Sequence, residues 1–157
     1  MNNKYINIYN NLVNLTRNKK LYKNFPKQDT FSDRLVFFLF HFAFFLKVFK
    51  KTNEKKILQE IYDYTFKYLE LSVREMGYGD ATVNKKMKNY LNTFHSILDK
   101  INDWEIAPDS HKTKVLSDLL NIDEETSNLI DYFDNYIINL SNNTLNFYTK
   151  GVVKDKF

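Results

Sequence analysis

Residues 35–46 read LVFFLFHFAFFL, with Arg34 before them and Lys47 after them. Twelve residues with one polar side chain leave no polar face on a helix and no alternation for a half-buried strand. A membrane span needs about 20 such residues. A helix that is apolar on all sides fits the buried centre of a helical bundle. The same run could instead insert into a membrane or present an apolar surface to a nascent helix. Both readings rest on DTFSDRLVFFLFHFAFFLKVFKK, residues 29–51, as one long helix. Asp29 or Thr30 would cap its start, and Lys47, Lys50 and Lys51 suit the negative end of its dipole.

The pattern around this segment is helical almost throughout. Tyr5, Ile8, Tyr9, Leu12 and Leu15 form a short stripe at i, i+3, i+4 spacing. A basic connector, RNKKLYKNFPK, follows. From Asn53 to Met76 the apolar face runs through Ile57, Ile61, Thr65, Leu69 and Val73 to Met76 itself. From Thr82 a further stripe takes in Val83, Met87, Tyr90, Leu91, Phe94, Ile97 and Ile101. WEIAPDS reads as a break, HKTKVLSDLLNI as a shorter helix, and Asp123 as the cap of EETSNLIDYFDNYIINL. The expectation is all-α: one bundle of about six helices over residues 1–141, with 142–157 a weakly patterned tail. Three glycines and two prolines leave little punctuation for hairpins, so Asn must serve many of the turns.

Composition narrows the function classes. The chain is 43% hydrophobic, too apolar for a disordered polypeptide. It has no cysteine, which removes disulfides and thiolate metal sites. The N-terminus, MNNKYINIYNNLVNLTR, lacks the apolar core and cleavage site of a signal peptide. A protein working where it is made is therefore expected. The net charge of +4 is unevenly spread: residues 1–56 carry 12 Lys or Arg against 3 acids, and residues 57–157 carry 11 against 16. Either the basic third faces an anionic partner, such as RNA or lipid headgroups, or the two parts pair in the fold.

Enzyme signals are weak. There is no P-loop, and Gly77-Tyr78-Gly79 lacks the third glycine and the preceding strand of a dinucleotide loop. His41, His95 and His111 fall in no metal-binding motif, and His41 reads as a hydrogen-bonded core histidine. No catalytic residue, cofactor or metal ligand is assigned.

Two of the three glycines lie in VREMGYGDATVNKKMK, Val73 to Lys88. Gly77 reads as the left-handed stop of one helix. Gly79 suggests a second special backbone angle or a close approach by another chain. Asp80 or Thr82 would cap the next helix. Lys85 and Lys86 then fall in its first turn, at the positive end of the dipole, where each is unfavourable by about 0.3–1 kcal/mol. Either Glu75 and Asp80 offset them or an anionic partner docks there.

This stretch resembles the signature of the ubiquinol-cytochrome c chaperone family, which typically reads L-R-E-M-G-V-G-D, a short gap, then V-x-K-K-M-K and an aromatic. Arg74, Glu75, Met76, Gly77, Gly79, Asp80, Val83, Lys85, Lys86, Met87 and Lys88 match. Upstream, Asp29, Thr30, Phe31, Arg34 and His41 match the family's D-T-F-x-x-R-F segment and the L-H helix after it. The resemblance covers about residues 20–103. Tyr78 departs from the usual small β-branched residue, and HSILDK after Phe94 from a Tyr-Gly-Arg-like sequence.

The resemblance implies a non-enzymatic assembly factor that binds newly made cytochrome b during assembly of the cytochrome bc1 complex. It implies action at the ribosomal tunnel exit and a small partner subunit. It also implies a cytoplasmic location at the inner-membrane face in a bacterium, or the matrix in a mitochondrion. Arg74, Glu75, Gly77, Tyr78, Gly79 and Asp80 would then shape a binding loop, and Lys85, Lys86 and Lys88 would supply its charge. The competing expectation is a ribosome-, RNA- or membrane-surface binder with no dedicated cytochrome b client.

Overall fold

A computed structural model describes residues 3–23, 31–122 and 126–151. Seven α-helices and no strand occur among them: α1 (Ile6–Thr16), α2 (Phe31–Phe49), α3 (Lys55–Glu75), α4 (Asp80–Lys100), α5 (Asp109–Leu120), α6 (Ser127–Ser141) and α7 (Leu145–Lys150). Short 3₁₀ turns at Lys19–Tyr22, Lys50–Thr52 and Trp104–Ile106 complete the order.

The helix α2 is the axis of the fold. Every residue from Phe37 to Phe45 is buried, so the apolar run is core. Its rings leave in several directions. Phe38 meets Tyr9 of α1, and Phe42 meets Phe66 of α3 and Phe94 of α4. Phe44 lies 5.0 Å from Phe133 of α6 and 5.2 Å from Trp104, and Phe45 and Phe49 meet Tyr148 of α7. Ring pairs at such spacings add about 0.5–1.5 kcal/mol each beyond the area they bury. No helix among the described residues is long and apolar enough to cross a membrane. Using α2 as an inserting or client-binding surface would mean taking it out of this packing.

The one polar residue of the run is satisfied. The His41 ring is fully buried, with Nδ1 2.6 Å from the Phe37 carbonyl and Nε2 2.7 Å from the Tyr132 hydroxyl. The carbonyl only accepts, so Nδ1 carries the proton and Nε2 accepts from Tyr132. Burial holds the imidazole neutral and pulls its pKa down to about 4, against the Phe37 carbonyl, which favours the charged ring.

Asn takes turn positions that glycine often fills elsewhere. Asn53 (φ 62°) precedes α3, and Asn121 (φ 55°) closes α5. Several boundaries differ from expectation. The break at WEIAPDS holds a core residue: Trp104 is fully buried, its indole Nε1 donates to Asp134 at 2.8 Å, and the buried Lys112 reaches the same carboxylate at 3.2 Å. Residues expected to form a loose tail include α7, capped by the Thr144 hydroxyl, with Leu145 and Tyr148 buried. The expected caps Asp29, Thr30 and Asp123 lie outside the described residues. Lys47 of the basic third pairs with Glu105 of the acidic remainder at 2.6 Å.

Candidate functional site

The segment 73–88 forms the corner between α3 and α4. The two helices form a hairpin whose inner face is aromatic: Phe66 lies 5.1 Å from Phe94, and the Tyr62 hydroxyl is 3.0 Å from His95 Nε2. This packing holds the corner at the end of a stiff pair of helices.

Gly77 acts as expected. Its φ is +97°, and its N–H donates to the Arg74 carbonyl at 3.0 Å, closing α3. An L-residue there would carry about 1–2 kcal/mol of left-handed strain. Gly79 does not take a second special angle, which was one of its two expected uses. Its φ of −73° and ψ of 166° are ordinary extended values, and a Cβ there would meet nothing within 4 Å. No second special angle and no close approach within this chain requires glycine. Gly79 is the N-cap of α4, a position where glycine is acceptable but supplies no side-chain acceptor.

The start of α4 therefore lies at Asp80, and neither Asp80 nor Thr82 is its cap. Asp80 sits in the first turn, where its charge suits the dipole, and its carboxylate receives the Arg74 guanidinium from across the corner. Arg74 also approaches Glu70 at 3.8 Å. With α4 starting at Asp80, Lys85 and Lys86 fall in its second turn, where the dipole effect has largely faded. The expected conflict with the dipole is thus small.

The corner brings some of the expected residues together and leaves others apart. Arg74 and Asp80 pair directly. Lys86 Nζ sits 4.7 Å from the centre of the Tyr78 ring, a cation–π contact. Tyr78 also lies near Tyr90, whose hydroxyl is pushed up by burial first and by Tyr78 second. Glu75 is exposed. Lys85 and Lys88 are exposed on one face of α4, three residues apart, and no ion pair forms at Lys85, Lys86 or Lys88 among the described residues.

Sequence reasoning missed the corner's apolar component. Met76 was expected to continue the buried stripe of α3, yet it is 51% exposed, because the helix ends before it can turn inward. Tyr78 is 44% exposed and Leu71 37%. Three large apolar side chains thus share one end of the hairpin with uncompensated lysines. Among the described residues no group of His, Asp and Glu could hold a metal ion. His41 and His95 are engaged on different helices, with Tyr132 and Tyr62.

Residues 23–117 match the family model for the ubiquinol-cytochrome c chaperone. The match takes in α2, the whole α3–α4 hairpin with its corner, and most of α5. No curated protein and no solved structure matches the chain. The family match covers more than half of the sequence and contains both motifs read from it, and the chain belongs to the ubiquinol-cytochrome c chaperone family.

Proposed function

We propose that this chain is a non-enzymatic assembly chaperone of the cytochrome bc1 complex that holds newly synthesised cytochrome b at its α3–α4 corner. The observation that carries the proposal is the pairing, on one rigid helical end, of exposed Leu71, Met76 and Tyr78 with Lys85, Lys86 and Lys88. A client segment that is apolar but flanked by acidic groups suits such a surface: apolar contact gives affinity and the lysines give register. Arg74 and Asp80 pair across the corner, and Gly79 lets a client backbone approach α4 without a side chain in the way. Family membership supports the assembly role.

The test is recovery of cytochrome b with tagged protein from growing cells, wild type against the triple variant Lys85→Glu/Lys86→Glu/Lys88→Glu. The proposal expects recovery to fall at least tenfold with the variant still folded. Unchanged recovery removes the lysines from the client site.

A location at the cytoplasmic face of a bacterial inner membrane, contact with ribosomal RNA at the tunnel exit and a small partner subunit belong to the same proposal. A second reading, a ribosome or RNA binder without a dedicated client, draws on the exposed Lys50, Lys51, Lys55 and Lys56. It predicts ribosomal RNA binding that falls steeply with salt.

A further inference from the structure

A groove of about 620 Å³ opens at the other end of the hairpin, where the end of α2, the start of α3 and the end of α4 meet. Its apolar lining comes from Leu46, Leu58, Tyr62 and Leu98, all partly buried, and its rim carries Lys50 and Lys55. Five lysines fall between Lys47 and Lys56. Against them stand Glu54, Asp99 and Glu105, of which Glu105 is held by Lys47. Lys50 and Lys55 form no ion pair among the described residues. An apolar floor beneath a cationic rim fits a ligand with an apolar chain and an anionic head. The volume lies within the roughly 300–1,000 Å³ of small-molecule sites.

From this groove we infer that the chain docks on anionic phospholipid, with part of an acyl chain over Leu46, Leu58 and Leu98 and the phosphate between Lys50 and Lys55. The inference does not depend on the client reading: it uses the opposite end of α3 and α4, and the lysine variants at residues 85, 86 and 88 leave it intact.

The test is flotation with vesicles of phosphatidylcholine, with or without phosphatidylglycerol, for wild type and Lys50→Gln/Lys55→Gln. Both lysines are exposed, so the variant keeps the fold. Binding is expected to require phosphatidylglycerol and to weaken about thirty-fold in the variant, the loss of two lysine contacts at an anionic surface. A Gln59→Trp variant places a fluorophore on the groove lining, and Ile138→Trp places one on exposed α6. Bromines on the phosphatidylglycerol acyl chains should quench the fluorophore at residue 59 and not the one at 138. Absence of vesicle binding, equal affinity for both lipid mixtures or for the variant, or lysine-dependent binding without quenching at residue 59 would each overturn the inference.

Discussion

Lowering the pH from 7.5 to 4.5 should destabilise this protein through His41. The ring is fully buried and neutral, with a folded-state pKa near 4 against 6.5 for the free side chain. A histidine with a depressed folded pKa costs the fold nothing above pH 6.5. Below it the unfolded chain takes up a proton that the folded chain refuses, so stability falls until the pH reaches about 4. Integrated between pH 7.5 and 4.5, this single group removes about 2–3 kcal/mol. That is a large part of the roughly 5–15 kcal/mol available to a domain. Urea denaturation at a series of pH values measures it. Carboxylates also titrate in this window, so the reference is His41→Phe/Tyr132→Phe, which removes the imidazole and the hydroxyl that would otherwise lose its partner. Asn18 also bonds the Tyr132 hydroxyl, and its half-exposed side chain can turn to water. The double variant should lose about 2–3 kcal/mol less than wild type between the two pH values. Equal losses in the two proteins would refute the reasoning.

Other predictions follow from particular side chains. Gly77→Ala should cost about 1–2 kcal/mol, because φ is +97°, whereas Gly79→Ala should stay within about 0.5 kcal/mol; thermal melts of the two variants separate a conformational glycine from one whose use lies outside the chain. Asp134→Ala should cost about 3 kcal/mol, since it strips the buried Lys112 ammonium and the Trp104 indole of their shared acceptor, and near-neutral denaturation would contradict that network. Arg74→Ala should cost less than about 1 kcal/mol in the same assay, its pairs with Glu70 and Asp80 being largely solvated. A much larger loss of client recovery with that variant would then report on binding.

The bundle was legible where periodicity or uniformity was strong. Twelve nearly unbroken apolar residues pointed to a buried α2, which the structure shows, and Val83, Met87, Phe94 and Ile97 recur on one face of α4 and are all buried. Elements without a period were not legible. Trp104 sits in a three-residue 3₁₀ turn, so its burial depends on Phe44 and Asp134 from distant helices. The helix α7 has six residues, less than two turns, too short for a helical period to show in the sequence.

At the corner, Gly77 behaved as its position implied: it takes a positive φ and closes α3. The start of α4 was displaced because its N-cap is a glycine with no side chain to announce it. That displacement alone moved Lys85 and Lys86 out of the first turn. The Arg74–Asp80 pair spans a turn between two helices, where no helical spacing rule applies. The exposure of Met76 depends on where α3 stops, not on the apolar stripe it continues in sequence.

The central claim is that the α3–α4 corner receives newly made cytochrome b. Its most direct test is a photocrosslinking amino acid at Tyr78, with a matching one at Ile138 on α6, in cells labelled during a short pulse of synthesis. The account predicts that the position-78 probe captures labelled cytochrome b within the pulse and that the position-138 probe does not. Capture at 138 alone, or no cytochrome b at 78 while the bc1 complex still assembles, would contradict it.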